Sequence, residues 1–155
     1  MVQRKTAPPK PQASGSRDIS LTIPVAPEME IVATAQVAAL GEHIGMSRDK
    51  IDEIKLALVE ACINAFEHAH TRDERLHLTF RVGRESEEGG DWLEVEVLDQ
   101  GKGFDHLRIE PPTPEQTFLG KRKRGWGLQI IKSLMDGVQI SSGDWGTRIV
   151  MRKYK

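Results

Sequence analysis

Glu60 and Asn64 stand one helical turn apart in Leu58–Val59–Glu60–Ala61–Cys62–Ile63–Asn64–Ala65–Phe66–Glu67–His68. A carboxylate suits general-base work, and an amide oxygen suits a hard cation. Asparagine is a poor mid-helix residue because its side chain competes for backbone hydrogen bonds. Between Ile63 and Ala65 an ordinary core helix would prefer alanine or leucine, so ligation of a metal is a reason for its presence. Mg²⁺ fits, since it takes few protein ligands and the rest from water and phosphates. From the helix pattern alone, a solvated seam and a metal site both stay open.

Two glycine turns carry further chemistry. Asp99–Gln100–Gly101–Lys102–Gly103 follows an apolar strand. Its carboxylate can accept a hydrogen bond from an exocyclic amine such as adenine's, and its glycines let backbone approach a flat ligand. A plain strand-ending turn uses the same residues. Gly125–Trp126–Gly127–Leu128 opens a helix whose first N–H groups can meet phosphate oxygens. The run Lys121–Arg122–Lys123–Arg124 before it adds positive charge, and it also reads as a solvated loop. Trp126 reads equally as a core residue or as a cover over a nucleotide.

The elements that must hold these residues follow from periodicity. Ile19, Leu21, Ile23 and Val25 alternate as a strand, and Pro24 suits an edge. Pro27 to about Gly45 predicts a helix burying Ile31, Ala35, Ala38 and Ala39, weakened or ended by Gly41 and Gly45. Ser47 or Asp49 caps a second helix to about His68. Its broad apolar face holds Ile51, Ile54, Leu58, Ala61, Cys62, Ala65, Phe66 and Ala69. The remaining seam holds Glu53, Glu60, Asn64 and Glu67 with His68 beside it, and Glu53 and Glu67 read as solvated. Two strands (Leu76–Val82 and Leu93–Val97) flank a polar loop over 83–90. The polar segment 104–124 is long enough for a lid. A helix from Trp126 to Met135 and a hairpin pairing 138–141 with 147–153 complete the chain.

Composition narrows the class. The 155 residues are 38% hydrophobic and 29% charged with a formal net charge of −1. That suits one globular domain over 18–155 and provides no global field for nucleic acid or a membrane. Residues 1–17, basic and proline-rich, predict a disordered tail. The single cysteine, Cys62, lies on the apolar helix face and reads as core. The five histidines show no zinc spacing; His68 and His70, two apart, point to different helix faces. No apolar run approaches spanning length or a secretory signal, and the cytoplasm is the expected compartment.

Taken in order, Glu60–x₃–Asn64, Asp99–x–Gly101–x–Gly103 and Gly125–x–Gly127–Leu128 resemble the N, G1 and G2 boxes of the GHKL ATPase superfamily. Leu58 to Ala69, Leu134–Met135–Asp136–Gly137–Val138 and Gly146–Thr147–Arg148–Ile149–Val150–Met151 look like the anti-sigma-factor serine/threonine kinases of the RsbW and SpoIIAB type. The resemblance implies a two-layer α/β sandwich, a mixed and mainly antiparallel sheet with helices on one face. It implies ATP and Mg²⁺ as cofactors, with Asn64 as metal ligand and Glu60 as general base. Asp99, Gly101, Gly103 and Thr147 would form the adenine end. Arg124, Gly125, Trp126, Gly127 and Leu128 would hold the phosphates, and His68 would join the nucleotide-binding set. Implied partners are an anti-anti-sigma (STAS-type) protein as substrate, a sigma factor and a second copy in a homodimer. An ATP-dependent binding switch with little or no phosphotransfer, or a kinase regulating a non-sigma partner, is the alternative.

Overall fold

The computed structural model describes residues 17–68, 74–85, 89–100 and 126–155. The expected tail, the lid over 104–124, Gly101, Gly103, Arg124 and Gly125 lie outside the described residues.

Among the described residues, five strands form one sheet: β1 (Arg17–Pro24), β2 (Arg75–Arg84), β3 (Asp91–Asp99), β4 (Gly137–Gly143) and β5 (Gly146–Tyr154). Their spatial order is β1-β2-β3-β5-β4, and all four pairings are antiparallel. Three helices of the described residues, α1 (Glu30–His43), α2 (Arg48–His68) and α3 (Trp126–Leu134), pack on one face. This is the α/β arrangement the resemblance implies. β1 is an edge strand and ends at Pro24, where proline withholds no needed donor.

Alternation along the strands builds the core. Ile23, Leu76, Leu78, Phe80, Leu93, Val95, Val97, Ile149 and Met151 share the helix-facing side and are buried. From α2 they meet Ile51, Ile54, Ala57, Leu58, Ala61, Cys62 and Ala65. Each fully buried large side chain of this set, such as Phe80 or Ile54, contributes roughly 1.5–3 kcal/mol. Ser47 begins α2 as expected, its Oγ accepting the Lys50 N–H at 3.4 Å.

The burial of α1 differs from the expected face. Ala33, Val37 and Gly41 are buried, whereas Ile31 is 63% exposed and Ala35 and Ala39 are also exposed. Apolar residues lie all round this helix, so periodicity does not select a face. Close approach to α2 does: a Cβ on Gly41 would stand 2.6 Å from Ile51 Cγ1, and the bare glycine leaves that room to Ile51. Gly45, at φ 72°, lies just beyond the helix end.

The opposite face of the sheet carries paired charge instead of apolar packing. Buried Arg81 donates to Glu94 at 3.1 Å, to Glu96 at 2.9 Å and to Asp18 at 3.3 Å. Arg148 forks onto the two oxygens of Glu96, and Arg152 donates twice to Glu94 Oε2. Arg152 also stacks 4.2 Å from the Trp92 ring centroid, and the missing Cβ of Gly83 makes room for that indole. Burial pushes the Glu96 carboxyl up, but the Arg148 and Arg81 hydrogen bonds outweigh it and hold it below the usual range.

Candidate active site

The polar seam of α2 splits three ways. Glu53 keeps 39% of its side chain exposed, as a solvated position should, and also pairs with Lys153 at 2.5 Å; Lys153 donates to the Leu134 carbonyl at 2.7 Å. This lysine ties α2, the end of α3 and β5 together. Glu67 is exposed, as expected. Between them Glu60 is buried at 6% exposure and Asn64 is half-buried.

Gly127, in the first turn of α3, faces this pair. A Cβ placed on it would stand 2.9 Å from Asn64 Nδ2, 3.0 Å from Asn64 Oδ1 and 3.1 Å from Glu60 Oε2. Three polar atoms from two side chains thus converge on the space a side chain would take. Leu128 and Ile131 are buried and join the core shared with α2, which fixes the approach. The first N–H groups of α3 have no intrahelical partner by construction, and they stand beside the carboxylate and amide. Trp126, the first residue of α3, is 41% exposed, which removes the core reading. His68 ends α2.

A second polar group gathers where β3 ends. Asp99 is in register with Thr147 of β5, and Thr147 with Ser142 of β4, all on the helix-facing side. The Thr147 N–H donates to Asp99 Oδ1 at 3.3 Å, with Asp99 and Thr147 both buried. The Thr147 and Ser142 hydroxyls are 3.0 Å apart, and Ser142 Oγ donates to the Gly146 carbonyl at 3.4 Å. Gly146 has φ 123°, and a Cβ there would collide with the carbonyl oxygen of Asp99. Only glycine brings β5 this close to the end of β3, and that approach puts the Thr147 amide on the Asp99 carboxylate.

The structure therefore groups Glu60, Asn64 and Gly127 at one place and Asp99 and Thr147 at another, with α2 packed over β3 and β5. Ser142 was not among the expected residues. Its signal was a hydroxyl at the next inward position after Val138 and Ile140 in β4. Cys62 is fully buried, and burial with the added Glu30 charge pushes its thiol up to about 12, so it is packing and not a nucleophile. Asn64 Oδ1 and the Glu60 carboxylate are oxygen donors of the kind a hard cation takes, and they fit Mg²⁺ better than a soft metal.

Residues 23–153 match the histidine kinase-like ATPase domain. The chain is 32% identical to a serine-protein kinase RsbW of Bacillus velezensis, over 88% of this chain and 84% of that one. It is 31% identical to the RsbW of Bacillus subtilis over the same shares. The crystal structure of the RsbU and RsbW domains of Rv1364c from Mycobacterium tuberculosis superposes with a TM-score of 0.62 at 19% identity. That match covers 89% of this chain and 32% of the other.

Proposed function

We propose a function from a plain premise: the chain belongs to the histidine kinase-like ATPase domain family and, within it, to the serine-protein kinases of the RsbW type. It is a protein serine/threonine kinase. The proposed substrate is an anti-anti-sigma protein of the STAS type, whose phosphorylation frees the kinase to sequester a sigma factor, and the proposed assembly is a homodimer. ATP is the phosphoryl donor. Among the described residues no helix is long and apolar enough to cross a membrane.

One observation carries the reading: the convergence of Glu60 and Asn64 on the bare Gly127 at a helix N-terminus. Asn64 Oδ1 would hold Mg²⁺, which when bound neutralises phosphate charge. Glu60 accepts the proton of the substrate's serine or threonine hydroxyl as that oxygen bonds to the γ-phosphorus of ATP and the bond from the γ-phosphorus to the β,γ-bridging oxygen breaks, releasing ADP. The N–H groups opening α3 orient phosphate oxygens, and Asp99 accepts from the amine of adenine. Such transfer depends on positioning and charge neutralisation more than on covalent chemistry.

The test incubates the protein with γ-labelled ATP, Mg²⁺ and STAS-type proteins of the same genome. Labelled serine or threonine that disappears with Glu60→Gln and with Asn64→Ala supports the kinase roles. Tight ATP binding without transfer favours a binding switch instead. Absence of both sinks the nucleotide site.

A further inference from the structure

We propose that Lys153 is a positioning residue for phosphotransfer: by holding Glu53 of α2 and the end of α3 together, it sets the lengthwise register that brings Gly127 to Glu60 and Asn64. The proposal rests on the kinase reading above and assigns what holds that site in place. Lys153 stands where the strand pattern asks for an apolar residue. Ile149, Met151 and Lys153 alternate on the helix-facing side of β5, and Lys153 is only 9% exposed. Its Nζ donates to the Leu134 carbonyl at 2.7 Å and meets Glu53 Oε2 at 2.5 Å, with Asp136 Oδ1 at 3.9 Å. The carbonyl at the end of α3 has no intrahelical donor, and the helix dipole favours a cation there. A buried ion pair adds little net stability over a packed apolar pair. What the lysine adds is direction, because its bonds are made at one placement of the two helices.

The spacing along both helices links the clasp to the site. Glu53, Ala57, Glu60 and Asn64 recur along one line of α2. Glu53 lies seven residues before Glu60, and Leu134 lies seven after Gly127. Each interval spans about 10.5 Å of helix. Gly127 faces Glu60 and Asn64 at one end, and Lys153 joins Leu134 to Glu53 at the other. The two helices therefore run antiparallel with both ends matched. Between the ends the core is apolar, with Ala57 of α2 and Leu128 and Ile131 of α3 all buried. Apolar burial is non-directional, and an alanine offers little relief to stop α3 sliding along α2. A functional constellation tolerates only about 0.5 Å of displacement. The clasp supplies the stop that apolar packing lacks.

The test compares full-length wild type with the double variant Lys153→Met/Glu53→Met and with Glu53→Ala and Glu53→Gln. Each is measured for urea unfolding, for ATP affinity with Mg²⁺, and for kcat of transfer from labelled ATP to the STAS-type substrate. The double variant replaces the ion pair by an apolar pair and should unfold within roughly 0.5 M urea of wild type. Its kcat should fall roughly tenfold while ATP affinity stays within about threefold, because misplaced groups lose the transition state before the ground state. Glu53→Ala should lose as much, and Glu53→Gln, which keeps an acceptor for Lys153, should retain kcat within about threefold. If the double variant does not fold, Glu53→Ala carries the test, since that side chain is 39% exposed. Wild-type kcat in a folded double variant or in Glu53→Ala overturns the proposal, as does lost turnover that only tracks lost folded protein. Those results leave the kinase reading standing; wild type that transfers no label overturns both.

Discussion

Gly127→Ala separates stability from chemistry. Alanine is the better helix former by about 1 kcal/mol, so α3 itself gains. Against that stands the new Cβ, which would meet Asn64 Nδ2, Asn64 Oδ1 and Glu60 Oε2 at 2.9, 3.0 and 3.1 Å. Ordinary contact begins near 3.4 Å, so these atoms must retreat by about 0.3–0.5 Å. They are the far ends of two side chains, not backbone, and they yield by rotation. The fold should therefore survive with stability within about 1 kcal/mol of wild type. The site should not, because a functional constellation tolerates only about 0.5 Å of displacement. Phosphotransfer to a STAS-type substrate should fall roughly 10- to 100-fold, read as initial rates with labelled ATP. Urea unfolding of the same preparation supplies the stability. Wild-type transfer in a folded Gly127→Ala protein would refute the convergence as a catalytic arrangement, and loss of folding would refute the claim that the side chains yield.

Other perturbations follow from the same geometry. Gly146→Ala should destabilise the fold by roughly 2–4 kcal/mol, measured by urea unfolding, because φ 123° and the Asp99 carbonyl both exclude a Cβ. Arg81→Ala should remove about 3 kcal/mol at neutral pH by stripping a partner from the buried Glu94 and Glu96. Glu96 is held below its unfolded value, so its contribution is present above the ordinary carboxylate range and is lost as pH falls through the folded value. Glu96→Gln should flatten the acid limb of stability against pH. Cys62, raised to about 12, keeps its proton in the folded state while the unfolded thiol ionises. Stability should then fall above about pH 9, by up to about 1.4 kcal/mol per unit, and Cys62→Ala should lessen that slope. Thiol reagents at pH 8 should label Cys62 only as fast as the protein opens.

Part of the candidate site was legible because a residue in it broke a local rule. Asn64 in mid-helix and glycine inside the first turn of α3 depart from what a plain helix would use, whereas Asp99 at a strand end is what a plain turn uses too and stood out only through its order with the other two segments. The strands and α2 were legible because burial on one face imprints a period. The face of α1 was not, since Ile31, Val32, Ala33, Ala35, Val37 and Ala38 give no contrast around the helix. Its orientation depends on Gly41 seating Ile51, a contact between two helices. Glu94 and Glu96 alternate with valine and leucine in β3, the pattern of a strand with a wet side. Their burial depends on arginines from β2 and β5, and only the strand register brings those together. Glu53 gave no hint of Lys153, exactly one hundred residues later, for the same reason.

The strand order has a consequence for how the protein is born. β5 is synthesised after β4 yet lies between β3 and β4. While a ribosome is still making it, β4 has no neighbour to zip against, and the Asp99 end of β3 lacks Thr147. Lys153, which bridges Glu53 of α2 and the end of α3, emerges later still. A growing chain can thus display the glycine turns and both helices without presenting a working pocket. Insertion of this one strand joins β3 to β4, puts the Thr147 amide on Asp99 and adds the Lys153 bridge between the helices. A chain short of β5 should therefore lack both the Thr147 amide on Asp99 and the Lys153 bridge.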